Sequence, residues 1–371
     1  MQIAILGAGM VGRAMAIDLQ KKYSVTSFDV SEQSLAILSK KNSAIKTVKA
    51  DLSNYENYTI LLQPFDYVIC AVPGFMGYKA LEAIINAGKN VVDISFFPED
   101  ALALDKLAKE KNVTAIVDCG VAPGMSNLIL GYYNSKMRIT NFECMVGGLP
   151  KKRVKPFEYK APFSPIDVLE EYTRPARYVE NSCIVTKPAL SDAELLNFEP
   201  VGTLESFNTD GLRSILFTMG HIPNMKEKTL RYPGHIDLMK GLIAAGFLNN
   251  EKVNGLPISP MEFTSKLLFN QWKLGEEEAE FTLMQIKVSD DTKTITYDLY
   301  DEYDAETKTS SMSRTTGYTA TAALNMLIEG HFSDKGVFPP ELVGSNEKCF
   351  NYILGYLKER NVIYRRSEMG K

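Results

Sequence analysis

Six residues near the start of the chain have the types and spacing to hold a pyrophosphate. Gly7-Ala8-Gly9-Met10-Val11-Gly12 follows an apolar run, Gln2 to Leu6, and precedes a helical pattern with Val11, Met15 and Leu19 on one face. Gly7 permits a sharp turn out of a strand, Gly9 lets a phosphate approach the backbone, and Gly12 lets the helix pack closely on the strand. The free N–H groups and partial positive charge of the helix N-terminus complete an anion site. A second strand, Ser24 to Phe28, ends at Asp29. That is about 20 residues past the glycines, where a carboxylate accepts the ribose hydroxyls of a dinucleotide. The same carboxylate would repel a 2′-phosphate, and the following Val30 and Ser31 offer no cation to neutralise one. The spacing therefore predicts NAD over NADP.

Other residues could carry a reaction. Asp93 lies between Val92 and Ile94, just before Ser95. A carboxylate in such an apolar run is costly unless it is used or paired. Arg174 sits at the end of a helical pattern, where it would either bind a carboxylate or complement the C-terminal dipole. Asp210 is a natural N-cap for a helix over 211–219. Arg213 would then be a cation in the first turn, opposing the dipole, which points to an external anion. His235 opens another helix, and a helix N-terminus lowers the imidazole pKa, which suits a neutral base. A histidine that caps or packs locally is the alternative. His221, His235 and His331 are too dispersed for a metal site, and the five cysteines form no CxxC pair.

The elements that must position these residues alternate. After Asp29 the pattern predicts a helix from Ser31, a strand 47–50 ending at Asp51, a strand 66–72, a helix 77–87, a strand 91–94, a helix 99–111 and a strand 113–117. Strands alternating with helices imply a parallel, doubly wound sheet. Its strand ends read Gly7, Asp29, Asp51, Val72-Pro73, Asp93 to Ser95, and Asp118-Cys119. In open α/β sheets, ligands bind outside these carboxyl ends. Asp51, with Leu52 beside it, is placed for adenine or ribose contact or for capping a turn. Gly120-Val121-Ala122-Pro123-Gly124 leads into a helix 126–133 and offers a second corner for an anion or a nicotinamide.

From about Ile139 the texture changes. Phe142, Cys144 and Val146 alternate as in a half-buried antiparallel strand that Gly147-Gly148-Leu149-Pro150 ends, and 157–163 reads as a further strand. Ser164-Pro165 and Ser259-Pro260 are helix starts. A hairpin is expected around Asn181, another around Asp290, and helices at 211–219, 236–245 and 261–272. The fold class is thus α/β: an N-terminal Rossmann domain over 1–120 and an α+β substrate and dimerisation domain over 121–310, its sheet mostly antiparallel. A C-terminal helical segment, 311–371, is expected to return to the first domain.

Composition narrows the class. The chain has 371 residues, 45% hydrophobic and 23% charged, with a net charge of −4. No bulk attraction to nucleic acid or an anionic membrane follows, and no apolar run is long enough to span a bilayer. The N-terminus lacks a basic region ahead of its apolar run, so no signal peptide is expected. The scattered cysteines suit buried thiols in a reducing cytoplasm.

The blocks GAGMVGRA, AVPGF, VVDISF, DCGVAPGMSN, VGGLP, EEYTRPAR, DGLRS and LRYPGH, in this order, resemble the saccharopine dehydrogenase-like family. The resemblance runs from Met1 nearly to the C-terminus. It implies a homodimeric oxidoreductase in which Gly7 to Gly12, Asp29 and Val30 bind NAD. Ala71, Val72, Pro73, Ser95, Ala122 and Pro123 would line the nicotinamide side. The activity it implies is oxidative deamination of the ε-amine of L-lysine. Such chemistry needs a base, for which Asp93 and His235 are candidates, and a fork for a carboxylate, Arg213 or Arg174. It also needs a carboxylate for the α-ammonium, Asp210 or Glu171. Two alternatives remain open: a saccharopine or carboxynorspermidine reductase of the same family, and a catalytically silent NAD-binding regulator.

Overall fold

Continuous apolar runs at the start of the chain become a parallel sheet. In the computed structural model, which describes residues 1–370, the first strands are β1 (Gln2–Leu6), β2 (Ser24–Asp29), β3 (Lys46–Lys49), β4 (Tyr67–Cys70), β5 (Asn90–Asp93) and β6 (Thr114–Ile116). The helices between and after them are α1 (Met10–Gln20), α2 (Glu32–Lys41), α3 (Tyr58–Leu61), α4 (Gly74–Asn86), α5 (Asp105–Glu110) and α6 (Met125–Asn134). The expected helix over 99–111 is split. A 3-10 turn, Ala101–Leu104, is capped by the Asp100 carboxylate, and α5 follows it.

The next stretch is β7 (Asn141–Pro150), α7 (Pro165–Thr173), β8 (Ala176–Glu180), β9 (Cys183–Lys187), β10 (Glu194–Phe198), β11 (Gly202–Asn208), α8 (Ile215–Thr218), β12 (Asn224–Arg231), α9 (His235–Ala244), α10 (Pro260–Trp272), β13 (Glu280–Ser289) and β14 (Lys293–Glu302). The chain ends with α11 (Ser311–Ile328), β15 (Gly336–Phe338), α12 (Pro340–Gly344), α13 (Glu347–Lys358) and β16 (Tyr364–Gly370). Among the described residues no helix is long and apolar enough to cross a membrane.

Two units result. The first holds Met1–Ile139, Phe217–Met219 and Met312–Tyr364; the second holds Thr140–Leu216, Gly220–Ser311 and the chain from Arg365. The first unit's sheet runs β15-β6-β5-β4-β1-β2-β3, and its registered pairs are all parallel. The order reverses direction at β1, the switch point where dinucleotides bind in doubly wound sheets. The second unit's sheet runs β10-β11-β12-β7-β13-β14-β16, with β8 and β9 attached beside β12. Its registered pairs are antiparallel apart from the parallel pairing of β7 with β12.

Three local expectations are corrected here. β7 is not ended by its glycines: it runs on to Pro150 between β12 and β13. A Cβ at Gly147 would meet Leu230 Cβ at 2.8 Å, so that glycine serves close packing rather than a turn. Residues 157–163 form no strand. Tyr159 and Ala161 do turn inward, but against Trp272 and His235, and Ala161 makes a single bridge to Lys273. The helix expected over 211–219 shrinks to α8, because Arg213 adopts a left-handed conformation with φ 52°.

Candidate functional site

The glycine turn is built as its sequence requires. Gly7 has φ 115°, and a Cβ there would lie 2.4 Å from the Ala71 carbonyl oxygen. A Cβ on Gly12 would lie 2.1 Å from the carbonyl oxygen of Gly7. These two glycines are buried and let β1, α1 and the end of β4 touch. Gly9 differs: it is exposed, its φ is −63°, and a Cβ would meet nothing within 4 Å. It N-caps α1 with no side-chain cap and no acid in the first turn. The open space above Gly9 and the uncapped N–H groups beyond it, from Met10 onward, fit a pyrophosphate.

Asp29 closes the turn from the side. Its carboxylate accepts from the Ala8 N–H at 2.7 Å and from the Ser31 N–H at 2.8 Å. Each oxygen keeps a further lone pair for a ribose diol. Val30 beside it is exposed. Asp51 instead caps its own turn: it accepts from the Ser53 N–H and hydroxyl, and the latter bond holds its carboxyl below the ordinary value. Leu52 is buried, and its carbonyl accepts from the Tyr58 hydroxyl.

Around β4, β5 and β6 the strand ends gather. Val72 is buried, Pro73 is exposed and N-caps α4, and in the 120–124 loop Ala122 is half-buried while Pro123 is buried. Asp93 pairs in register with Cys70 and is wholly buried. Its Oδ1 accepts from the Ser95 N–H at 2.6 Å, and the Ser95 hydroxyl lies 3.4 Å from Oδ2. Burial raises the Asp93 carboxyl to about 7, with the negative charge of Asp118 adding to the shift. Burial, with Asp93 beside it, holds Cys70 firmly as a thiol. A carboxyl poised near neutrality at the carboxyl edge of this sheet can take up or return a proton at physiological pH.

In the second unit the candidates separate. Arg174 pairs with Glu170 on its own helix. Asp210 does not cap a helix: its carboxylate takes the backbone N–H, Nε–H and Nη2–H of Arg177. Arg213 is buried, but the first-turn argument for it falls with the helix. What remains is its left-handed backbone, uncommon outside glycine, asparagine and aspartate. Glu171 and His235 join one network that the local pattern did not announce. Arg231 gives Nη2–H to Glu171, Nε–H to the Tyr172 hydroxyl and Nη1–H to the Leu230 carbonyl. Its guanidinium lies 4.3 Å from the Tyr159 ring centre.

The same network fixes the state of His235. Nδ1 lies 2.9 Å from the Phe157 carbonyl oxygen, which can only accept, so Nδ1 carries the proton. Nε2 then accepts from the Tyr172 hydroxyl at 3.0 Å. Burial first, and the charge of Arg231 second, push the imidazole down to about 3. It is therefore neutral, as the sequence suggested, but burial is the main cause. Its accepting nitrogen is already occupied.

Arg231→Met is expected to destabilise the protein by about 3 kcal/mol, because it leaves the half-buried Glu171 carboxylate and the Tyr172 hydroxyl without their cation. Adding Glu171→Gln should restore part of the loss. Urea unfolding of the single and double variants reads both effects.

A parallel sheet switching direction at a glycine turn, with Asp29 beside the turn and the buried Asp93 at a strand end, is the arrangement of a dinucleotide-binding domain. The chain belongs to the saccharopine dehydrogenase family. Residues 3–116 match the saccharopine dehydrogenase NADP binding domain, and residues 120–363 match the saccharopine dehydrogenase C-terminal domain. The chain is 24% identical over 267 residues to the mitochondrial alpha-aminoadipic semialdehyde synthase of Rattus norvegicus; the match takes in 67% of this chain but 29% of that protein. It is 22% identical over 375 residues to the carboxyaminopropylagmatine dehydrogenase of a Synechocystis species, covering 92% of each. Apo saccharopine dehydrogenase (L-Glu forming) from Saccharomyces cerevisiae has the same fold, with a TM-score of 0.81, 18% identity and 99% of both chains covered.

Proposed function

We propose that the chain is an NAD-preferring dehydrogenase that oxidises the carbon bearing the ε-amine of L-lysine, with release of ammonia. The observation that carries the redox reading is Asp93, a buried carboxyl with a pKa of about 7 at the sheet edge beyond the cofactor cradle. A lysine-type ammonium, with a pKa near ~10.4, must lose a proton before its carbon can give up a hydride. Asp93 accepts that proton; a nicotinamide cofactor, held by the Gly7 to Gly12 turn and Asp29, would supply the hydride acceptor. Hydrolysis of the resulting iminium leaves 2-aminoadipate 6-semialdehyde, which cyclises. A planar guanidinium fork, Arg213 or Arg174, would take the substrate carboxylate. NAD is preferred because Asp29 would face a 2′-phosphate and Val30 and Ser31 bring no cation.

A second reading has its own support. The carboxyaminopropylagmatine dehydrogenase matches over 92% of both chains, and its name implies a secondary amine bearing a carboxylated arm. Chain length does not separate the readings, since the yeast saccharopine dehydrogenase aligns over 99% of both chains. A substrate panel does. Lysine with NAD⁺ is expected to give NADH and a cyclic imine that o-aminobenzaldehyde traps, with NADP⁺ at least about tenfold poorer in kcat/KM. Turnover of saccharopine or a carboxyalkyl polyamine, with none of lysine, would favour the second reading. Binding of NADH with no turnover of any of them would leave a silent binding protein.

A further inference from the structure

The cofactor cradle has a wall that the glycine motif does not supply. Helix α11, from Met312 onward part of the first unit, lies against both α1 and the 120–124 loop. A Cβ at Gly317 would come within 3.1 Å of Met15 Cγ and 3.5 Å of the Val11 carbonyl oxygen. One at Gly120 would meet the Thr316 methyl group at 3.3 Å. The Thr316 methyl therefore faces the loop that follows β6, next along the helix to the glycine that packs on α1. Thr316 is half-buried, whereas its neighbours Thr315 and Gly317 are buried. Its hydroxyl donates to the Met312 thioether at 3.5 Å, a weak acceptor that a better one would displace.

The two flanking elements say which part of a dinucleotide this hydroxyl would reach. On the dinucleotide-binding reading, Asp29 would hold the adenosine ribose and the N-terminus of α1 would hold the pyrophosphate. The nicotinamide half would then fall toward β4 to β6 and the 120–124 loop, the side on which Thr316 stands. A hydroxyl can donate to the carbonyl of a carboxamide or accept from its amide. We propose that Thr316 is a cofactor-binding residue whose hydroxyl hydrogen-bonds the nicotinamide carboxamide. The C-terminal part of the chain thereby helps to orient the ring. This inference rests on the NAD(P)-binding reading above.

The test uses the full chain and two probes, NADH and ADP-ribose, which lacks the nicotinamide. Titration calorimetry gives both dissociation constants for the wild type, Thr316→Val and Thr316→Ser, and circular dichroism checks their folding. Loss of one neutral hydrogen bond should raise the NADH Kd about fivefold in Thr316→Val. ADP-ribose should bind as before, and Thr316→Ser should stay close to wild type. An unchanged NADH affinity in Thr316→Val overturns the proposal, as does an equal loss for both probes. If the wild type binds ADP-ribose and NADH, only the Thr316 assignment has failed. If it binds neither, the cofactor reading has failed and takes the assignment with it.

Discussion

Gly9→Val is expected to weaken NADH binding by about 100-fold or more while the protein remains folded. The three glycines of the turn are not equivalent. Valine at position 7 would need φ 115° and would collide with the Ala71 carbonyl, and at position 12 it would collide with the Gly7 carbonyl. Both changes disrupt the joint between β1 and α1. At position 9 the backbone is ordinary and the space is open. The cost to the fold is confined to a poorer N-cap, about 1 kcal/mol, or roughly 2–4 °C in melting temperature. The cost to the ligand is much larger, because a branched side chain stands where a pyrophosphate must approach the N–H groups of α1. Fluorescence titration with NADH and a melting curve on the same sample separate the two effects. Wild-type affinity in Gly9→Val would mean that no pyrophosphate lies on this turn, and the dinucleotide reading would fall.

The same contrast between local and distant information explains what could be read from the chain. The glycine turn was legible because most of its parts lie within one βαβ unit: Gly12 packs on Gly7 and Asp29 accepts from Ala8, and only the approach of Gly7 to Ala71 comes from farther along the chain. The parallel strands were legible as well, since burial on both faces makes them continuous apolar runs. The second unit resists such reading. β10 is an edge strand with Leu195 exposed, so its pattern does not alternate. Asp210 followed by a helical pattern looked like an N-cap, but Arg177, far back along the chain, takes the carboxylate. The inward alternation of Tyr159 and Ala161 was real, yet Trp272 and His235 satisfied it without a neighbouring strand. The Glu171–Arg231–Tyr172–His235 network is made by side-chain bonds that span 59 to 63 positions. No spacing rule reaches across that interval. Of its members, the sequence singled out only Glu171 and His235, and each for a separate role.

Asp93→Asn is expected to lower kcat by about 10³-fold with little change in NADH affinity. Asparagine preserves the shape and the Oδ1 acceptor that the Ser95 N–H requires, so the loss falls on proton transfer. A carboxylate at its ordinary value would be a poor partner for a lysine ammonium; raising it to about 7 narrows the mismatch by roughly 3 units. The wild-type rate should therefore rise with pH through about 7, as Asp93 ionises, and the variant should lack that limb. Stability moves the other way. The folded-state pKa of Asp93 is raised from 3.8 to about 7, so its stabilising contribution is complete below about pH 4 and is lost as pH rises through 7. Ionised Asp93 at pH 8 is thus a burden on the fold, on the order of a few kcal/mol. Asn carries no such charge, and Asp93→Asn should melt higher than wild type at pH 8, with the gap closing toward pH 4. A variant that is slower and more stable at pH 8 is the signature of a buried carboxyl kept for its proton. Undiminished turnover, or an acid limb near pH 7 that survives the substitution, would show that another group does this work.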